Sequence, residues 1–452
     1  MQDNINYKYI YLISSVAALG GLLFGYDTAV IAGAIGLLRT KFDLSAAMMG
    51  WAASSAIIGS VFGAMVAGKI SDIFGRKRTL LATAVLFAIS AIGSAIPDNL
   101  TQFAIARFIG GLGVGAASML SPLYISEIAP AKIRGTLVTT YQLAIVIGIQ
   151  LIYFVNLKIS GFGDEAWNTE MGWRYMLGSE AIPAILFLVL LFIVPESPRW
   201  LSKNGREEES LAILNKVNGS ARAAEIQKEI TETLKEEEGT LSELFAPGLR
   251  MAVLVGVFLA IFSQVTGINA IMYYAPEIFK SVGFGTESAL LQTVIIGSFN
   301  VIFTFVAIWL IDKAGRKTLL LYGVTGMAIC LFCIGLVFQM NWTDGPWVLI
   351  FILGYIASFA ASLGPIPWVM ISEIFPTKTR GVAMSMAVLI LWIAVYLVTQ
   401  FFPILLESIG GAYTFWLFMI NAVILLIFVW RIVPETKGKT LEEIERSWKE
   451  GI

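Results

Sequence analysis

The chain contains no histidine. That removes the usual general base and the usual pH switch, so any proton this protein moves must ride on a carboxylate. Three ionisable residues stand inside long apolar runs: Asp27, Arg107 and Glu180. Each costs roughly 2.5–3.5 kcal/mol at the centre of a membrane helix, so each needs a partner or a purpose. A carboxylate beside a guanidinium stays ionised, and one buried away from it prefers its proton. Asp27 and Arg107 fall at similar depths in their runs, toward the outer ends, and are placed to meet. Alternation between the paired and unpaired states is what proton coupling needs; a static structural ion pair is the plainer reading.

The amides Gln142, Gln264, Asn269 and Asn300 form a second set in apolar surroundings. An amide in hydrocarbon needs a hydrogen-bond partner, so these side chains are expected to face other helices or a polar cavity. Cys330 and Cys333 have C-x-x-C spacing, but they lie in an apolar run without the charged neighbours that make a thiolate, and read as packing. No nucleophile–base pair and no metal-ligand cluster stands out. The expectation is no enzyme, no cofactor and no metal.

The elements that must hold these residues follow from composition. Apolar residues make up 57% of the chain and charged residues 14%, against roughly 25% charged in soluble proteins. A bilayer gives that apolar surface a place. Runs of about 17–25 apolar residues span it, and twelve are legible, centred near Leu19, Ile57, Phe87, Leu112, Ile147, Leu186, Ala260, Asn300, Ile329, Ile356, Leu389 and Val423. The first run is long and has no cleavage region after it, so no cleavable signal peptide is expected. The fold class is thus an all-α membrane protein: six helices in residues 1–197, a cytoplasmic linker in 198–248, six more helices in 249–433 and a cytoplasmic tail in 434–452. The linker carries runs such as Arg206-Glu207-Glu208-Glu209 and Lys235-Glu236-Glu237-Glu238. Its helix-period apolar residues, Leu211, Leu214 and Val217, then Ile226 and Ile230, predict short surface helices. The net charge of −1 raises no field suited to nucleic acid.

Charge in the short loops sets orientation. Lys69, Arg76, Lys77, Arg78, Lys132, Arg134, Lys313, Arg316, Lys317, Lys378 and Arg380 fall on one face, against Arg39, Lys41, Lys158, Arg174 and Lys280 on the other. The first face is cytoplasmic, with both termini. Its loops also repeat: Asp72-Ile-Phe-Gly75-Arg76-Lys77 recurs as Asp312-Lys-Ala-Gly315-Arg316-Lys317. Ser126-Glu127 through Arg134-Gly135 recurs as Ser372-Glu373 through Arg380-Gly381, and Pro195-Glu196 echoes as Pro434-Glu435. Two six-helix halves related by an axis along the membrane normal, with a solute site at their interface, is a known transporter plan. Acids and guanidinium groups at these helix ends can pair when the cytoplasmic side shuts and part when it opens. The expected gate pairs are Glu127 with Arg134 and Glu373 with Arg380. Positive-inside topology and helix capping are the alternative.

The string Gly20-Gly21-Leu-Leu-Phe24-Gly25-Tyr26-Asp27, the Gly68–Lys77 loop, Pro195-Glu196-Ser197-Pro198-Arg199 and Pro434-Glu435-Thr-Lys-Gly438 together resemble the sugar porters of the major facilitator superfamily. The resemblance covers nearly the whole chain. It points to the bacterial pentose–proton symporters for xylose and arabinose, and more distantly to the facilitative glucose carriers of animals. The Gly110–Gly115 run, a loose match to a nucleotide loop, is instead a place where small residues let helices approach. The resemblance implies proton coupling through Asp27 and Arg107, with Glu180 matching a further acid. The expected cytoplasmic gate, from the repeated helix ends, is Asp72, Arg76, Glu127, Arg134, Glu196, Arg199, Asp312, Arg316, Glu373 and Arg380.

A sugar needs amides and hydroxyls for its ring hydroxyls and aromatic faces for its C–H side. Gln142 and Ile149, seven apart, share a face of the fifth helix. Gln264, Asn269 and Tyr273 surround Gly267, which lets the seventh helix loosen, and Asn300 sits mid-way along the eighth. Gly364-Pro365-Ile366-Pro367-Trp368 interrupts the tenth, and broken helices line cavities rather than lipid. Helix–helix hydrogen bonding is the alternative for any one of these. By resemblance, Phe24, Gln142, Gln264, Asn269, Tyr273, Asn300, Gly364, Trp368 and Trp392 match sugar-contacting positions. The chain departs from that pattern at Ser263, Leu391 and Val395, where amides are usual, and at Ile149, which agrees better with glucose carriers than with the xylose carrier.

The expected function is a proton-coupled sugar symporter working by alternating access, for a pentose such as D-xylose or L-arabinose or a hexose such as glucose. The alternatives are a uniporter of the same fold and, more remotely, a sugar sensor. Its expected partners are a sugar, a proton and the lipid bilayer of the cell membrane, with the monomer as the working unit.

Overall fold

The computed structural model describes residues 5–130, 132–234, 240–246, 249–342, 345–375 and 377–437. The Asp312 side chain, the Lys235-Glu236-Glu237-Glu238 run and the tail beyond Lys437 lie outside the described residues. Among those described the chain is helical, with no strand. Among the described residues, eleven helices are long and apolar enough to cross a bilayer. In order they are Tyr7–Phe42, Ala46–Phe74, Arg76–Ala95, Leu100–Ile128, Arg134–Ser160, Glu165–Leu191, Arg250–Ser281, Thr286–Ile311, Arg316–Gln339, Lys378–Ser408 and Gly410–Arg431. One more expected span, tenth in chain order, is present as two shorter helices, Trp347–Ala360 and Ile366–Ile374, separated at the Gly364-Pro365 break. The others are numbered accordingly, first to twelfth.

The contacts gather into two compact units. One comprises Met1–Thr28, Ile58–Leu151 and Leu177–Glu237. Within it, glycines let helices touch at the backbone: a Cβ on Gly25 would lie 1.9 Å from the Ile145 carbonyl oxygen, and one on Gly148 would lie 2.1 Å from that of Leu22. The first and fifth spans are therefore in direct main-chain contact, which carries Phe24 toward Gln142 and Ile149. The linker belongs to this unit as the helices Pro198–Lys203, Glu207–Asn218 and Ser220–Thr233. Leu214 and Val217 are buried, the Trp200 indole N–H donates to the Asp72 carbonyl at 2.9 Å, and Lys216 sits 4.0 Å over the Tyr9 ring. The charged run thus forms surface helices with an inward apolar face.

The other unit comprises Ala29–Ile57, Ile152–Met176 and Glu238–Ile452. Its seventh span breaks between Val265 and Ile268, where Gly267 has φ of +99°. Carbonyls freed at such a break need donors in a membrane interior. They have them: Asn421 Nδ2 donates to the Val265 carbonyl at 3.0 Å and the Tyr355 hydroxyl to that of Thr266 at 3.1 Å. Beyond the break, the Met272 carbonyl accepts from the Tyr153 hydroxyl at 2.6 Å. Ser54 Oγ donates to Gln400 Oε1 at 2.8 Å, so the second and eleventh spans are also tied within this unit.

Candidate functional site

Asp27, Arg107 and Glu180, from the first, fourth and sixth spans, are 0%, 1% and 1% exposed and form one cluster. Arg107 Nη1 donates to Asp27 Oδ1 at 2.6 Å, and Arg107 Nη2 to Asp27 Oδ2 at 3.3 Å and to its backbone carbonyl at 2.7 Å. Glu180 interacts electrostatically with both Asp27 and Arg107, and its Oε1 is buried without a partner. Two carboxyls and one guanidinium sum to a formal −1 when all are ionised. Burying an uncompensated charge is costly, and holding a single proton brings the group to neutrality. The cluster has the parts to take up and give back one proton. Tyr26, hydrogen-bonded to Ser179 at 2.8 Å, closes its flank.

The amides fall in both units. Phe24, Gln142 and Ile149 are half-buried on the first and fifth spans. On the seventh span, Asn269 Nδ2 donates to Gln264 Oε1 at 2.6 Å, and Gln264 Nε2 donates to Ser263 Oγ at 3.0 Å. This chain of polar groups bridges the Gly267 break. Ser263, where the sugar-porter pattern has an amide, therefore accepts a hydrogen bond from Gln264. Tyr273, Asn300 and Trp392 are buried at 6%, 9% and 3% exposure, and Gly364 and Trp368 lie half-buried beside the tenth-span break.

At the helix ends the structure corrects the first expected pair. Glu127 pairs with Arg76, not Arg134: Arg76 Nη2 donates to Glu127 Oε1 and Arg76 Nε to Oε2, both at 3.0 Å. The fourth span stops at Ile128 and Pro130 follows, so Glu127 and Arg134 lie on different helices, and Arg134 is exposed. Arg76 also donates to Asp72 Oδ1 at 2.7 Å. In the second unit Glu373 pairs with Arg316 at 2.9 Å, and Arg380 is half-buried.

A capping role appears that spacing did not reveal. The Glu196 carboxylate accepts from the backbone N–H of Arg76 at 2.9 Å and of Lys77 at 3.1 Å, sitting on the N-terminus of the third span, where negative charge is favoured. Glu435 does the same for Arg316 and Lys317 at 3.0 and 3.1 Å. Hydroxyls complete each cluster, Ser197 on Glu127 and Thr436 on Glu373. Glu435, Ser197 and Thr436 were missed. The Pro434-Glu435 echo of Pro195-Glu196 was the signal available. Arg199 is exposed.

Three comparisons bear on identity. Residues 13–448 match the family described as Sugar (and other) transporter. The chain is 48% identical over 441 residues to an arabinose-proton symporter of Bacillus subtilis (strain 168), covering 97% of this chain and 95% of the relative. It is 44% identical over 483 residues to a D-xylose-proton symporter of Escherichia coli (strain K12), covering 99% and 98%. Its fold matches the xylose transporter XylE from E. coli in a partially occluded inward-open conformation with a TM-score of 0.87 at 44% identity, over 96% of this chain and 100% of that one. XylE bound to 6-bromo-6-deoxy-D-glucose, described as a major facilitator superfamily protein, matches at 0.81. With the fold, the repeated helix-end clusters and the family match in agreement, the chain belongs to the sugar transporter family of the major facilitator superfamily.

Proposed function

We propose that this protein is a proton-coupled sugar symporter working by alternating access, with a pentose such as xylose or arabinose as its substrate. The observation that carries the coupling is the buried Asp27–Arg107–Glu180 cluster in a chain without histidine. The relatives named as arabinose- and xylose-proton symporters support both halves of the reading. Asp27 and Glu180 hold the transported proton, and Arg107 sets which state of Asp27 is favoured. Phe24, Gln142, Ile149, Gln264, Asn269, Tyr273, Asn300, Gly364, Trp368 and Trp392 contact the sugar. The carrier works as a monomer of two six-helix halves, 1–197 and 249–433, in the cell membrane with both termini cytoplasmic. The helix-end clusters are its cytoplasmic gate.

Uptake of labelled pentoses and hexoses into proteoliposomes, with and without an imposed pH gradient, tests this. Accumulation of a pentose that follows the gradient is the expected result. Equilibration that ignores the gradient would replace symport with uniport. The sugar site has its own test. Gln264 is tied to Asn269 and Ser263, so a sugar hydroxyl meets an ordered amide. Gln264→Ala or Gln142→Ala will weaken sugar binding by about 1–3 kcal/mol, read by titration calorimetry. Unchanged affinity in both variants for every transported sugar would remove these residues from the site.

A further inference from the structure

Several hydroxyls in the spans of the first unit bond to their own helix. On the third span Thr79 and Thr83 donate to the carbonyls one turn back, at 2.7 and 2.9 Å. Ser90 and Ser94 on the same span do not: both are buried, at 0% and 1% exposure, and both hydroxyls lack a partner. Such groups in a protein interior ordinarily find one, in protein or in ordered water. Two more buried and unpartnered polar atoms belong to the proton cluster, Glu180 Oε1 and Arg107 Nε.

Helix register sets the two serines at the level of the cluster. A Cβ on Gly110 would lie 2.3 Å from Ser90 Oγ and 3.1 Å from Asp27 Oδ1, so the Ser90 hydroxyl occupies the place a side chain at 110 would take, with the Asp27 carboxylate beside it. A Cβ on Gly93 would lie 3.1 Å from that of Ala106, and one on Gly178 3.3 Å from that of Ala95. Ser94 thus lies level with Arg107 on one side and with the Gly178–Glu180 turn on the other. A polar site with several unpartnered groups holds water, whereas an apolar one stays dry.

We propose that Ser90 and Ser94 hold ordered water against Glu180 Oε1 and Arg107 Nε, and that this water is the route by which the proton reaches the cluster. The inference rests on the symport reading above. A proton arriving as hydronium passes to the Glu180 carboxylate and leaves neutral water behind. Glu180 then hands the proton to its neighbour Asp27, and Ser90 and Ser94 are positioning residues that exchange no electrons and keep their own protons.

The test compares two rates in proteoliposomes: pH-gradient-driven pentose uptake, and exchange of pentose between two loaded sides. In the Ser90→Ala/Ser94→Ala double variant, driven uptake will fall about tenfold relative to exchange, and its solvent deuterium isotope effect will rise. Ser90→Thr, which keeps the hydroxyl, will restore much of the ratio. A double variant with the wild-type ratio and isotope effect overturns the water route while leaving symport standing. A higher melting temperature in the double variant also overturns it, because deleting a hydroxyl that holds nothing stabilises a buried site. Wild-type uptake indifferent to the gradient overturns the symport reading itself.

Discussion

Asp27→Asn in proteoliposomes will bind sugar and exchange it between two loaded sides, yet will not accumulate it when a pH gradient is imposed. Asparagine keeps the size of the side chain and a hydrogen-bonding oxygen for Arg107, whose guanidinium makes three contacts with Asp27 in the structure. What it removes is the carboxyl proposed to gain and lose the proton. With no histidine in the chain, Glu180 is the remaining carboxyl in the cluster, and its guanidinium-paired neighbour no longer changes charge. The empty carrier then returns without a protonation bias, and sugar levels equalise. Arg107→Ala damages the same function by another route. It leaves two buried carboxyls without their cation, a change that costs about 3–5 kcal/mol when a buried pair loses one partner. Gradient-driven accumulation that survives Asp27→Asn would falsify the assignment of this residue.

The second large effect is at Arg76. Its pair with Glu127 has side-chain exposures of only 8% and 5%, so truncation to alanine strands a carboxylate beside the Ser197 hydroxyl. Arg76→Ala will lower stability by about 3–5 kcal/mol and will leave the cytoplasmic side more open to thiol reagents acting on introduced cysteines. Arg134→Ala, at an exposed position, will stay within about 0.5 kcal/mol of the parent. Thermal melts of the two purified variants decide it, and equal losses would return the gate to the pair expected from spacing.

The contrast between these arginines shows what the sequence made legible. Asp27, Arg107 and Glu180 were readable because an ionisable group in an apolar run must have a reason, and depth along each helix brought the first two together. Gly267 and Gly364-Pro365 were readable as breaks because glycine and proline remove the local cause of helix. Glu127 and Arg134 misled because seven residues look like two turns, whereas the backbone leaves the helix at Ala129 and turns a corner at Pro130. Arg76 is distant in sequence and close only through packing. Glu435 was hidden for a related reason: its task is to cap a helix start more than a hundred residues earlier, and no local pattern encodes that reach.

The two helix-end clusters are built from the same parts, yet water reaches them unequally. Arg316 and Glu373 have side-chain exposures of 14% and 27%, against 8% and 5% for Arg76 and Glu127. Dissolved salt screens accessible charges over about 10 Å at 0.1 M and about 3 Å at 1 M, and screens buried ones far less. Rising ionic strength therefore loosens the Arg316–Glu373 pair while the Arg76–Glu127 pair holds. The internal duplication gives this transporter two ion pairs of different hardness, and added salt acts first on the one between Arg316 and Glu373.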